Sequence, residues 1–347
     1  MTDDTLRIGL IGAGRIAQAA HLPALEQTPE LRLTMVADPS ASQAEAVAAR
    51  YGARWTTDTP ALLEADLDAV IVCVPDRLHA PLGSMALEAG RHVLMEKPLA
   101  PTVQESAALA ALATERGLVL QPGFMKRHDP GIEYAMRHLD RIGPVLSAQL
   151  WYRVMAATRQ GIQDTLFPRM LLDPEVKASE AKHKAADAAN YKLMTHGVHQ
   201  LDLARALLGD VDWVSAHAAS AGPDFSWHGT MAPTAGGLAS FEITAAVHSS
   251  WREGVDLYGE RGHIRIRSPY VFSRLGSSVE VHLEADGETR RPTFTDTNPF
   301  RRQLRAFADA IRTGAAATPS PEDGVEATRL VLAVAASSQS EGTRVQL

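Results

Sequence analysis

Between residues 6 and 124, short apolar runs alternate with longer alanine-rich stretches. The runs are LRIGLIG, LRLTMVAD, DAVIVCVP, HVLMEK and LVLQPGF. Most of them set apolar residues side by side rather than only at every second position, the pattern of strands covered on both faces, as in a parallel sheet. The stretches between them, among them PSASQAEAVAARYG and HAPLGSMALEAG, carry helix formers and close on Gly52 and Gly90. Glycine is the usual residue just past a helix end. Strand and helix in alternation predict a doubly wound α/β sheet.

Beyond Phe124 the pattern changes. A helical stretch near 130–141 leads to the strand VLSAQLWYRV, and a second helix spans about 197–208. Then come DWVSAHAAS, GGLASFEITAAVHSSW, GVDLYGE, GHIRIRS, SSVEVHLEA and TRRPTFTD, several of them alternating as half-buried strands do. Consecutive strands with short turns predict a mostly antiparallel sheet in an α+β domain. Near the end, NPFRRQLRAFADAIRTG offers Asn298 as N-cap, Pro299 at the first helical position and Gly314 past the end. Phe300, Leu304, Phe307 and Ile311 would be its buried stripe. Two domains follow, 1–125 and 126–347, the second closing on helices 298–313 and about 322–338. Residues 156–192 are weakly patterned, and read as a long loop that is either a lid or a surface insertion.

Composition changes the picture by exclusion. The 347 residues suit two ordinary domains better than one. Hydrophobic residues at 45% and charged ones at 22% describe an ordered globular chain. The net charge of −7 argues against a nucleic-acid or membrane partner, both of which call for clustered positive charge. One cysteine, Cys73, lies inside an apolar run, so no intrachain disulfide forms and a reducing compartment is consistent. The start, MTDDTLRIGLIGAG, has acids before a short apolar stretch, the wrong order for a signal peptide, and a cytoplasmic location is the expectation.

The first strand opens directly onto Gly12-Ala13-Gly14-Arg15-Ile16-Ala17, a G-x-G-x-x-A turn. Gly12 permits the tight turn, Gly14 lets the backbone approach a pyrophosphate, and Ala17 allows close helix packing. The helix start that follows, with Arg15 and Ile16, supplies N–H groups and a positive dipole end. Asp38 ends the second strand, where a carboxylate accepts hydrogen bonds from ribose hydroxyls and repels a 2′-phosphate. Pro39 and Ser40 follow it, with no Arg or Lys, so NAD is expected over NADP. The alternative is that Asp38 only caps the next helix.

The fourth and fifth strands end in VPDRLHA and MEKPLA, and ligands of open parallel sheets bind at such ends. A lysine there, Lys97, would lie near the nicotinamide, whose positive charge would lower its pKa from about 10.4 and suit it to moving a substrate proton.

These segments resemble the glucose-fructose oxidoreductase/inositol dehydrogenase (Gfo/Idh/MocA) family. GLIGAGRIA, CVPDRLHAPLGSMALEAGRHVLMEKPLA, GFMKRHDP, HGVHQLDLARALLG and NPFRRQLRAFADAIRTG carry the resemblance along almost the whole chain. It implies a Rossmann domain followed by a large open antiparallel sheet, and NAD(P)-linked oxidation or reduction of a hydroxyl on a sugar, inositol or related polyol. Lys97 matches the lysine of the family's E-K-P motif, with Glu96 and Pro98 holding it. Pro75, Asp76 and His79 match a loop near the cofactor ribose, and Arg127 a basic position after the sixth strand. His199 matches a histidine that is general acid/base or substrate ligand, and Asp202 the acid after it. Where many members carry an aspartate four residues before that histidine, this chain has Thr195, followed by His196, so the sharing of proton transfer among Lys97, His196 and His199 stays open.

Two histidines three apart on a helix suit a metal, but no third ligand is evident, and polyol binding without metal explains them better. Trp151-Tyr152-Arg153 puts aromatic rings on a strand, where they either pack or stack on a sugar. The expectation is an NAD-dependent oxidoreductase acting on a secondary alcohol of a sugar, cyclitol or sugar acid, assembled as a dimer or tetramer by family analogy. A redox-neutral NAD-dependent glycosidase of the same fold and a non-catalytic NAD-sensing regulator are the alternatives.

Overall fold

Runs of adjacent apolar residues become strands buried on both faces. The computed structural model describes residues 5–155, 166–167, 170–248 and 251–347. The described residues within 1–124, 167–187 and 300–328 form one compact unit, and those within 125–166, 188–299 and 329–347 another.

The first unit holds a parallel sheet of β1 (Leu6–Ile11), β2 (Leu31–Ala37), β3 (Arg54–Thr56), β4 (Ala69–Val72), β5 (His92–Met95) and β6 (Leu120–Pro122). Their order is β3-β2-β1-β4-β5-β6, so chain direction across the sheet reverses between β1 and β4. That switch point leaves a crevice at the strands' carboxyl ends, the usual ligand position in such sheets. β4 has no solvent-exposed side chain, and Val70 and Val72 pack with Leu62, Leu87, Val93 and Leu109. Helices Ala41–Tyr51 and Val103–Arg116 cover the sheet, each ended by a left-handed glycine. Strand β3 was missed in the sequence because RWT is a short, mostly exposed edge strand without an apolar pattern.

The second unit is built on nine strands: β7 (Val145–Met155), β8 (Val211–Ala221), β9 (Asp224–Pro233), β10 (Leu238–His248), β11 (Arg252–Gly259), β12 (Gly262–Ser268), β13 (Ser278–Leu283), β14 (Glu288–Arg290) and β15 (Val345–Gln346). The order is β14-β13-β12-β11-β7-β10-β9-β8-β15, antiparallel except where β7 runs beside β10. The sheet is thus mixed at its centre, and mostly antiparallel as expected. β9 escaped the sequence reading because its buried residues include Trp227 and Met231, four apart, with glycine and polar residues between. β14 is shorter than TRRPTFTD, since Pro292 has no N–H for the ladder.

Helices Pro299–Thr313 and Pro321–Gln339 occupy the expected C-terminal positions. Phe300, Leu304 and Phe307 are buried, whereas Ile311 is half-buried. The insertion differs from the expected loop. Its second half is helical over Pro174–Ala186 and Ala188–Lys192, and Asp173 caps the first by accepting from Glu175 N and Val176 N at 2.8 and 3.2 Å. Asp-Pro-Glu is a helix-start signal that the polar, alanine-rich composition obscured. Residues 156–165 and 168–169 of the insertion lie outside the described residues. Among the described residues no helix is long and apolar enough to cross a membrane.

Candidate functional site

At the end of β1 the chain turns through Gly12 with φ +88°. A β-carbon on Gly12 would stand 2.6 Å from the Cys73 carbonyl oxygen, so no other residue fits without movement. Gly14 differs, because a β-carbon there meets nothing within 4 Å. The space a side chain would fill is open, as an approaching pyrophosphate requires. Residues 15–25 continue as a helix, interrupted by a π turn over Ala17–His21, and Arg15 and Ile16 at its start are half-buried.

Asp38 reaches back to this turn. Its Oδ2 accepts from Ala13 N at 2.8 Å and from Gln43 Nε2 at 2.9 Å, and its Oδ1 from Ser40 N at 3.0 Å. Ser40, not Asp38, is the N-cap of helix Ala41–Tyr51, so the capping alternative does not hold. A carboxylate has about four acceptor positions. Among the described residues three of Asp38's are filled, which leaves one on Oδ1 for a hydroxyl donor. The open cradle at Gly14 and this acceptor fit a dinucleotide with an unphosphorylated ribose.

β5 delivers Glu96 and Lys97. Glu96 is buried; its Oε1 accepts from His21 Nε2 at 2.7 Å and its Oε2 from Lys97 N at 3.2 Å. Burial alone would push the His21 imidazole down, but Cys73 and Glu96 beside it lift its pKa to about 10. Burial opposes ionisation of Glu96 as well, yet the hydrogen bond and charge of His21 hold its carboxyl below the ordinary range. The two form a buried ion pair behind Lys97, which is half-buried and joined to Pro98 by a cis bond. Pro75 and Asp76 lie half-buried where a 3₁₀ turn follows β4. His79 is turned inward, its Nδ1 2.6 Å from Pro98 O and its Nε2 3.0 Å from Val74 O, and burial lowers its pKa. Neutral, it has one N–H to donate to one of these carbonyls, and it packs between the ends of β4 and β5.

The second unit assembles its own cluster. Thr195 and His196 lie in a π turn over Leu193–Gly197, and His199 in the helix Val198–Leu208 that continues it. Such turns inside helices recur at functional sites. The Tyr152 ring, on β7, stands 6.2 Å from His196 and 6.3 Å from His199, centroid to centroid. Trp151 shows the opposite face of the strand and is covered by the Arg267 guanidinium at 4.6 Å, so it packs away from the histidines. Asp202 is buried and accepts from Arg127 Nη2 at 2.7 Å and from its Nε at 3.1 Å. The two residues hold each other.

Three groups were missed in the sequence. His21 stands alone in an alanine-rich helix, with no local pattern pointing to Glu96. Lys126 precedes Arg127 and is ion-paired to Glu253, both buried, with its ammonium 4.6 Å from the Tyr152 ring centre. Burial lowers the Lys126 pKa and raises that of Glu253, each opposed by the charge of the other. An acid at an inward position of REGVDLYG was the available signal. The third, Ser40 and Gln43 with Asp173, joins positions far apart in the chain.

A glycine turn and an acceptor carboxylate at the switch point of a β3-β2-β1-β4-β5-β6 sheet define a dinucleotide-binding domain. The chain belongs to the Gfo/Idh/MocA family: residues 6–124 match its oxidoreductase NAD-binding Rossmann fold, and residues 184–347 its C-terminal alpha/beta domain. It is similar to a dTDP-3,4-didehydro-2,6-dideoxy-alpha-D-glucose 3-reductase of Streptomyces violaceoruber, 30% identical over 312 residues, which cover 88% of this chain and 85% of the relative. An inositol 2-dehydrogenase of Rhizobium meliloti (strain 1021) is 27% identical over 343 residues, 94% of each chain. Among solved structures, a putative myo-inositol dehydrogenase from Sinorhizobium meliloti 1021 superposes with a TM-score of 0.76 at 25% identity, covering 99% of both chains.

Proposed function

We propose that this oxidoreductase transfers a hydride between a secondary alcohol carbon of a sugar, cyclitol or sugar acid and NAD. The observation that carries the reading is the acceptor position left on Asp38 beside the open Gly14 turn. It suits an unphosphorylated ribose and favours NAD over NADP. Bound NAD supplies the hydride acceptor, and NADH the donor in the reverse direction. The chain's own residues bind, orient and move the proton.

In this reading Gly12, Gly14, Arg15 and Ile16 meet the pyrophosphate, while Pro75 and Asp76 border the cofactor and His79 sets the position of their loop. Lys97, backed by the His21–Glu96 pair, and His199 manage the alcohol proton as the C–H bond breaks. Tyr152, Thr195 and His196 line the substrate position, with Arg127 and Asp202 fixing the histidine helix. Residues 1–125, with 167–187, serve the cofactor, and the rest of 126–347 the substrate and assembly. A reducing, cytoplasmic setting, with which the single buried Cys73 is consistent, and a homo-oligomer by family analogy are part of the reading.

The test is a screen of NADH formation over sugars, inositols and sugar acids. Stoichiometric NADH with one of these classes is expected. Conversion of a glycoside without net NADH would replace the reading by a redox-neutral one, and NAD binding without any turnover by a sensor.

A further inference from the structure

We propose that Asp173 is a second cofactor-selecting carboxylate, brought by the insertion to the end of β2 beside Asp38 to turn away a dinucleotide carrying a 2′-phosphate. The inference rests on the dinucleotide reading of the site.

Two side chains tie the carboxylates together. Ser40 donates its Oγ–H to Asp173 Oδ2 at 2.6 Å and its backbone N–H to Asp38 Oδ1 at 3.0 Å. Gln43 donates through Nε2 to Asp38 Oδ2 at 2.9 Å, and its Oε1 accepts from Asp173 N at 2.9 Å. The Ser40 hydrogen bond, with those from Val176 N and Glu175 N, holds the Asp173 carboxyl below the ordinary range, so it is ionised at neutral pH.

The same segment is fastened at two further points along the carboxyl edge of the sheet. Gln18, just past the glycine turn, donates to Leu171 O at 2.5 Å and accepts from Leu171 N at 2.9 Å. Arg77, after β4, holds Glu180 through both terminal guanidinium nitrogens at 2.6 and 2.9 Å. Residues 171–180 thus contact the turn after β1, the end of β2 and the loop after β4, three elements that border the dinucleotide position. Asp173 is the member of this segment placed at the 2′ side.

The chemistry is specific to one ligand class. A 2′-phosphate needs cations and donors; an arginine after β2 is the common solution. Here residues 38–43 read DPSASQ, without a cation, and the Ser40 hydroxyl that would donate to phosphate is committed to Asp173. A ribose hydroxyl needs only the acceptor left on Asp38. Asp173 therefore penalises NADP through charge and through the donor it occupies, while leaving NAD unaffected.

Calorimetric titration of NAD and NADP into the parent, Asp173→Asn and Asp38→Ala proteins at low and high salt tests this. Asparagine keeps the helix cap and the shape. Asp173→Asn is expected to close the gap in Kd between the two dinucleotides by about tenfold at low salt and less at high salt, as a solvent-screened charge requires. NAD affinity should stay within about threefold. Parent-like NAD binding with an unchanged NADP-to-NAD ratio in Asp173→Asn would overturn the assignment while leaving the dinucleotide site standing. A parent protein that binds neither dinucleotide would remove the site itself, and the inference with it.

Discussion

His21 and Glu96 share a hydrogen bond of 2.7 Å at a fully buried point behind the turn that carries Lys97. A buried ion pair broken on one side leaves an uncompensated charge, which costs about 3–5 kcal/mol. Cys73 beside His21, together with the pair, also makes stability depend on pH in a defined direction. The folded-state pKa of His21, about 10, lies above its ordinary 6.5, so the folded chain holds a proton that the unfolded chain releases between those values. The contribution is complete below the ordinary value and falls away as pH rises toward about 10. Glu96 acts at the other limb: its lowered pKa gives stability above the ordinary 4.5 that is lost as pH falls through the folded value.

His21→Gln should therefore lower the urea midpoint near neutral pH and flatten its alkaline decline. Denaturation series at about pH 6, 8 and 10 for parent and variant check this. A variant as stable as the parent, with an equally steep alkaline limb, would show that the imidazole carries no charge in the folded protein.

What was legible in the sequence follows from how local each signal is. The five parallel strands were visible because each is a short run rich in apolar residues, and the Gly12 turn because its spacing is short. Asp38 was legible as the end of a strand, and Lys97-Pro98 by family resemblance. Edge strands β3 and β15 were not, since little of them is buried and nothing forces an apolar pattern. Partnerships across long separations were equally hidden: His21 with Glu96, Lys126 with Glu253 and Ser40 with Asp173 lie 75, 127 and 133 residues apart. Polar residues at such positions look like solvated surface until the fold closes over them.

Asp38 makes the cofactor preference testable on its own. Its carboxylate both leaves an acceptor for ribose and satisfies the Ala13 N–H of the glycine turn. Asp38→Ala should weaken NAD while relieving the repulsion of NADP, so the preference narrows from both sides. Paired titrations check it, and tighter NADP binding by the parent would sink the NAD assignment.

Arg127 and Asp202 make a geometric pair that two measurements can apportion. Their side chains are 8% and 1% exposed, so each desolvates the other's charge. Arg127→Met alone should lower stability by about 3–5 kcal/mol, because the buried Asp202 carboxylate loses the guanidinium that faces it. Arg127→Met with Asp202→Leu should recover a large part of that loss, a coupling that denaturant midpoints of the four proteins in the cycle would reveal. Additive losses would mean that the residues act independently, toward substrate rather than toward each other.

Lys97 separates chemistry from cofactor binding. The pyrophosphate and ribose contacts proposed for NAD fall on the Gly12 turn and Asp38, not on the ammonium of Lys97. Lys97→Met should thus leave the NAD Kd within about threefold while turnover of the best polyol falls by about 10²–10⁴, the usual cost of losing a positioned proton-transfer group. His199→Ala should lose activity on the same scale if it shares the proton, and Thr195→Ala less, since only a hydroxyl contact is removed. The pH profile adds an independent readout: a kcat/KM limb present in the parent and shifted or absent in one variant identifies the group that titrates. Steady-state turnover paired with calorimetric NAD binding gives both axes. Near-parental turnover in Lys97→Met would reduce the MEKP turn to a structural link between β5 and the following helix, and would leave His199 as the proton carrier.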